Sequence, residues 1–320
     1  MAMTHRHIKP IHLVIGLVVA AFNALQSRVN GALGQATGHA TVTALVSFSG
    51  GIAVIGLMVL AHSKARQAFV GIPHLVRSGQ LRWWECIGGV SGAFYVIGQG
   101  FIVPIVGVSI FTIAVVAGQT ASSLFVDKVG LGPAGPKALT GLRIFSAVLA
   151  IVGVIISVLG RDHTGAFSLP AVMYAFAAGS FQSAQYAING KVARATNQAL
   201  TTTLLNFVMG TTTLWIVLFV QTFFMGKPLQ SPPSFFEKPW LWTGGPIGVV
   251  FIISASVLVH HLGVLVFALV TVVGQLLGAL ILDIVLPTPG SHISAQLLFG
   301  VAITGIAVTL ASRRPRTVIV

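Results

Sequence analysis

Long apolar runs separated by short polar segments set the pattern of this chain. No charged residue occurs between Cys86 and Val126, and none between Pro239 and Leu282. A helix crosses a bilayer with about 20 apolar residues at ~1.5 Å rise each, so each run is roughly twice the required length and must turn back. Pro104 and Gly107 mark the turn in the first run, and His260-His261 with Gly263 mark it in the second. With the remaining runs, the pattern predicts ten spans near 11–30, 42–62, 84–103, 107–126, 139–160, 168–189, 200–224, 240–259, 263–284 and 293–312. Ser63 to Arg82 and Lys227 to Lys238 read as the longest soluble connections, the second a Pro-rich loop capping the outer face. Neither is long enough for a soluble domain.

The polar positions also repeat. FNALQSRVNGALGQATGHATVTALVSFSGG from Phe22 aligns with FQSAQYAINGKVARATNQALTTTLLNFVMG from Phe181. Trp84, Gly88-Gly89, Gly92, Gly107, Phe111, Gly118-Gln119 and Asp127 recur as Trp240, Gly244-Gly245, Gly248, Gly263, Phe267, Gly274-Gln275 and Asp283. A duplicated unit with five spans must place its second copy upside down in the membrane. The expected fold is therefore an all-α integral membrane protein of ten transmembrane helices, built as two inverted five-helix repeats, residues 1–165 and 166–320. The boundary falls in the polar linker Arg161-Asp162-His163-Thr164-Gly165.

Composition agrees with this class. Only 7% of the 320 residues are charged and mean hydropathy is +0.94, whereas soluble domains carry roughly 25% charged residues. The formal charge of +13 would suggest nucleic acid on a soluble fold, but here the basic residues lie between apolar runs, where they orient a membrane protein. Alternate connections divide the Lys and Arg residues fourteen against four, which puts the richer side and both termini in the cytoplasm. The opening MAMTHRHIKP mimics a signal peptide, but the repeat needs the first span, so it is read as retained. One cysteine, Cys86, excludes an intramolecular disulfide and a cysteine metal cage.

Candidate chemistry lies in the polar residues inside the spans, which should face protein or water rather than lipid. Asn23, Gln26 and Asn30 share one face of the first span, and Gln182, Gln185 and Asn189 share the matching face of the sixth. Two facing amide stripes would line a central path; amides that hold helices together give the same pattern. Gln119 and Gln275 follow glycines in spans four and nine, and Tyr95 and Gln99 extend the polar face of span three. The pairs Gly88/Gly92 and Gly244/Gly248 predict close helix crossings. Trp83, Trp84, Trp240 and Trp242 read as interfacial anchors, and Phe94 with Tyr95 as core or an apolar substrate wall.

The five carboxylates, Glu85, Asp127, Asp162, Glu237 and Asp283, avoid span centres, and surface roles are expected of them. Asp127 should pair with Lys128 or Arg143, while Asp283 has no basic neighbour in sequence. His260-His261 lacks the further ligands of a metal site. No GxxxxGK[ST] signature is present, so ATP hydrolysis within this chain is not expected.

The strings LRWWECIGGVSGAFYV, GQTASSLFVDKVGLGP and GLRIFSAVLAIVGV resemble the YdcZ-type branch of the drug/metabolite transporter superfamily. The resemblance spans both halves, about 11–160 and 168–312, and is stronger in the first; the second keeps the GQ pair and its aspartate but loses the serines and the DxxG ending. It implies ten helices in two inverted repeats, a central cavity, alternating access, and transport of small organic molecules, often export, across a bacterial inner membrane.

A secondary transporter is the expected function, with Asn23, Gln26, Asn30, Tyr95, Gln99, Gln119, Gln182, Gln185, Asn189 and Gln275 as candidate substrate contacts. A passive channel or a non-transporting scaffold is the alternative. An enzyme would need clustered acids, histidines or an activated nucleophile, which this chain lacks. Expected partners are a small neutral amphipathic solute and membrane lipids, with no nucleic acid and no cofactor; a homodimer is compatible with the chain.

Overall fold

The computed structural model describes residues 10–132, 135–136, 139–159, 168–228, 230–262, 264–289 and 291–311. The linker at 161–165 and the first nine residues lie outside them. The helices are α1 (Pro10–Thr37), α2 (Ala40–Ala61), α3 (Ser63–Arg77), α4 (Gly89–Val129), α5 (Gly141–Leu159), α6 (Leu169–Thr196), α7 (Ala199–Phe223), α8 (Gly244–Leu262), α9 (Val264–Val285) and α10 (Ala295–Ala311). Short 3-10 turns, Trp83–Cys86 and Pro239–Trp242, precede α4 and α8. No strand occurs among the described residues.

By length and composition, the segments 10–37, 40–61, 83–129, 141–159 and 199–223 can cross a membrane, and 244–254, 270–285 and 295–310 are shorter apolar helices. The outer faces fit a lipid solvent. Phe145, Val148, Ile155 and Leu159 on α5 and Phe299 and Ile306 on α10 are exposed, as are Trp215, Ile216 and Phe219 on α7, and apolar side chains on that scale have no place facing water.

The predicted reversal inside the first apolar run is a break at Gly107, whose φ of 84° and ψ of 166° interrupt α4. Glycine alone enters that region freely. A break frees backbone N–H groups, and away from water each must find a new acceptor. Asp283 supplies it: Oδ1 accepts from the Val108 N–H at 3.0 Å and Oδ2 from the Ser109 N–H at 2.7 Å. The carboxylate also sits at the positive end of the restarted helix. Asp283 is 4% exposed, so the surface role expected of it is wrong. In the second run α8 remains helical through His260 and His261 to Leu262 and α9 begins at Val264; the third residue expected to mark that turn, Gly263, lies outside the described residues.

Within the expected soluble connection Ser63 to Arg82, Ser63–Arg77 forms a helix. Ala65 and Ile72 are buried while Lys64, Arg66, Val70 and Arg77 face outward, and His62 Nδ1 caps it by accepting from the Ala65 N–H at 3.3 Å. Its apolar positions recur every three to four residues, a signal masked by the density of basic residues.

The two halves share their corners. Thr37 and Thr196 each donate from the hydroxyl to the carbonyl four residues back, and each accepts from the N–H of the residue two ahead, His39 or Gln198. Thr43 and Thr202 then bond to the His39 and Gln198 carbonyls. The loop between α7 and α8 folds over the first corner: a Cβ on Gly38 would touch Gln230, and Trp242 donates to Pro233 O at 3.2 Å.

Candidate functional site

Glycines place the candidate side chains, and they do so across the two halves. A Cβ at Gly88 would meet the Asn189 side-chain oxygen, and one at Gly92 would meet the Gln185 amide. At the equivalent positions, Gly244 would meet Asn30 and Gly248 would meet Gln26. Backbones close up beside them: a Cβ at Gly89 would overlap the Asn206 carbonyl, and one at Gly245 the Ser47 carbonyl. Gly118 lies against Phe176 of α6, and Gly274 against Leu17 of α1. The crossings predicted from Gly88/Gly92 and Gly244/Gly248 are thus real, but the glycines make room chiefly for amide side chains of the other half.

Around these crossings the polar residues form three groups. The first joins α1 to α4. Asn30 Nδ2 donates to Gln99 Oε1 at 2.7 Å, Gln99 Nε2 donates to Ser27 Oγ at 2.8 Å, and Ser27 donates to the Asn23 carbonyl. The Tyr95 hydroxyl lies against Ser27 and Gln99, and its ring tilts on Phe111 at 5.6 Å. Asn30 and Gln99 are fully buried. Asn30 Oδ1 packs against Gly244 and has no hydrogen-bond partner among the described residues.

The second group joins α4 to α6. Gln119 donates to Gln182, and Ser122 donates to the Ser180 carbonyl at 3.1 Å. In the third, Gln185 Nε2 donates to Asn206 Oδ1 of α7 at 3.1 Å, beside Asn189. Gln26 lies against α8, and Gln275 is buried on α9. The stripes of α1 and α6 therefore do not bond to one another; each turns to α4, and each also meets a glycine face of the other half. Phe94 stacks on Tyr174 at 4.1 Å and meets Phe181 edge-on, and the Tyr174 hydroxyl donates to the Phe94 carbonyl at 2.8 Å.

Sequence reasoning missed Ser27, Asn206, Tyr174 and Lys191. Ser27 lies one turn after Asn23, so helical spacing could have found it; Asn206 aligns with Ser47, a polar match across the repeat. Glu85, expected at the surface, is 5% exposed. Its Oε1 accepts from Lys191 Nζ at 2.9 Å and its Oε2 from the Arg82 N–H at 2.9 Å. Asp127 pairs with Arg143, as one of the two expected partners. Of the tryptophans, Trp83 and Trp240 are well exposed, while Trp84 lies beneath Arg82 and Lys191 at 5.8 and 5.5 Å. Among the described residues no group of acids, histidines and cysteine could hold a metal.

Comparison with known proteins fixes the family. Residues 11–156 and 170–310 both match the family model DMT_YdcZ, described as "Putative inner membrane exporter, YdcZ". The chain belongs to the YdcZ family. It is accordingly a multi-pass membrane protein of a transporter family, with one YdcZ unit in each half. No curated protein matches it. A solved structure described only as "Crystal structure of protein" is similar, with a TM-score of 0.52 at 16% identity over 94% of this chain and 95% of that one. That likeness concerns the fold alone, and it extends over the whole YdcZ pair.

Proposed function

We propose that the chain is a secondary, ATP-independent exporter of small organic solutes, working by alternating access around a path between α1, α4 and α6. The observation that carries this reading is the exchanged packing: the first helix of each half rests on the third and fourth spans of the other, glycine against amide. Two units joined in that way can rock against each other while their internal contacts persist.

The ten-span count follows if α4 passes twice, with α3 on the surface. Inversion of the halves is supported by the direction of the first helices. The end of α6 meets the start of α4 at Gly88, whereas the end of α1 meets Gly100 and Val103, roughly 20 Å further along at ~1.5 Å per residue. The basic-residue bias then puts both termini, Arg82 and Lys191 in the cytoplasm.

Asn23, Gln26, Asn30, Tyr95, Gln99, Gln119, Gln182, Gln185, Asn189 and Gln275 are the substrate contacts of this reading. In the present arrangement Asn30 and Tyr95 bond to Gln99, and Gln119 bonds to Gln182, so a solute must exchange with those bonds. Amides and aromatic rings suit a neutral, partly apolar molecule. The test is a thermal-shift screen of amino acids, nucleobases, amines and aromatic metabolites, followed by counterflow of each hit in proteoliposomes. The expected ligand raises Tm of the parent protein, fails to do so in Gln99→Ala and Gln119→Ala, and shows counterflow. A ligand that raises all three equally would return the glutamines to helix packing, and flux without counterflow would make the chain a channel.

A further inference from the structure

The two ends of the bundle are built from equivalent residues but are not closed alike. At one end, the turn Trp83–Cys86 faces the last turns of α6. Lys191 crosses that joint to Glu85 at 2.9 Å, with side-chain exposures of 28% and 6%. Both carboxylate oxygens are engaged, since Arg82 N–H holds the other, and Lys191 also lies over Trp84. At the other end, the turn Pro239–Trp242 faces the last turns of α1. There the repeat puts Leu241 in place of Glu85, Ala32 in place of Lys191, Lys238 in place of Arg82 and Trp240 in place of Trp84. Two residues that cannot form an ion pair leave a recess of about 400 Å³, lined by Arg28, Ala32, Gln35, Lys238, Trp240 and Leu241.

We propose that Glu85 and Lys191 form a latch that closes one end of the transport path, and that the recess beneath Trp240 is its unlatched counterpart. The inference rests on the carrier reading given above. Opening the latched end requires α6 to leave the Trp83–Cys86 turn. That movement strands Glu85 in a site where it is almost wholly buried, which costs more than separating the same charges in water. Arg82 keeps the carboxylate aimed while Lys191 is away, so the latch can re-form without a search. The opposite joint has no ion pair between Ala32 and Leu241; its cation, Arg28, instead donates to the Leu286 and Pro287 carbonyls just beyond α9.

The chain carries its own reporter, since its single cysteine, Cys86, follows Glu85 and is partly covered. The experiment measures the rate at which a membrane-impermeant maleimide labels Cys86 in lipid nanodiscs, where both faces are accessible. Lys191→Met is expected to label at least about fivefold faster, equivalent to ~1 kcal/mol of opening equilibrium. Losing the Lys191 cation works against thiolate formation, so faster labelling reports opening and not heightened reactivity. Glu85→Gln removes an anion beside the thiol and so speeds labelling by itself, which leaves Lys191→Met as the deciding variant; Lys191→Arg, which keeps the charge, should label at the parental rate. Unchanged labelling in Lys191→Met overturns the latch. So does fast labelling in Lys191→Arg, or a fall in Tm that accounts for the exposure. Because no solute is needed, failure here leaves the carrier reading standing, and failure of the solute screen leaves the latch testable.

Discussion

The joint between α4 and α6 and the joint between α1 and the α8–α9 pair share one plan and differ in chemistry. Both use glycines to seat amides, with Gly88 and Gly92 under Asn189 and Gln185, and Gly244 and Gly248 under Asn30 and Gln26. The first joint then adds polar ties: Glu85 to Lys191, Gln119 to Gln182, Ser122 to Ser180 and Tyr174 to Phe94. At the second, Leu241, Ala32, Ala255 and Phe251 stand where Glu85, Lys191, Gln99 and Tyr95 have their equivalents. Duplication fixed the backbone crossings, and the side chains diverged upon them. What is common to the two joints is therefore packing, and what is unique to one is the better place to look for function.

The shared part is the easiest to break. A side chain at Gly89 or Gly245 would run into the Asn206 or Ser47 carbonyl, and backbone cannot swing aside as a side-chain tip can. Gly89→Leu and Gly245→Leu should each destabilise by about 3 kcal/mol or more. They should yield little monodisperse protein on size exclusion. Gly56→Ala and Gly305→Ala, with nothing within 4 Å of the new Cβ, should leave Tm unchanged or slightly raised. Equal loss at both joints is expected; tolerance at Gly245 alone would show that the second crossing is loose.

The repeat-equivalent aspartates sharpen the contrast. Asp283→Ala leaves the Val108 and Ser109 N–H groups without the acceptor that the break at Gly107 requires, and buried charge-assisted bonds of this kind are worth roughly 1.5–3 kcal/mol each. Asp127→Ala removes a partly exposed pair with Arg143, worth about 0–1 kcal/mol. Thermal unfolding in one detergent should rank them in that order. Equal Tm values would mean that water replaces Asp283 at the break. The Gln99 equivalent is Ala255, which gives a third and smaller step. Gln99→Ala strands Asn30 Nδ2 and should cost about 1–2 kcal/mol.

Much of this was legible in the sequence, and the physical reason for the limits is consistent. The apolar helical class, the turn near Gly107 and the glycine crossings follow from local composition, and the repeat names which residues are equivalent. Equivalence does not name partners. Nothing at Gly88 says that its neighbour is Asn189, and nothing at Glu85 points to Lys191, 106 positions away. Asp283 looked like a surface residue because its partners are backbone groups 174 and 175 positions earlier, which no side-chain pattern records.

The smallest effect separates the two shared corners. His39 and Gln198 are equivalent helix N-caps, but only His39 uses its side chain, with Nδ1 accepting from the Val42 N–H at 3.4 Å. Protonation at Nδ1 removes that acceptor. Burial, and then the charge of Lys227, hold the His39 imidazole below the usual histidine range. A depressed folded-state value means that the unfolded chain takes up the proton first. The contribution is therefore intact above the ordinary histidine range and is lost as pH falls through the lower folded-state value. Tm measured from pH 7.5 to 5 should fall by a degree or so more in the parent than in His39→Asn, because asparagine caps without titrating. Gln198→Asn should shift Tm upward at every pH alike, supplying a cap where the second corner has none. If His39→Asn tracked the parent across the range, the α1–α2 corner would be held by Thr37 and Thr43 alone, and the two corners would be energetically the same.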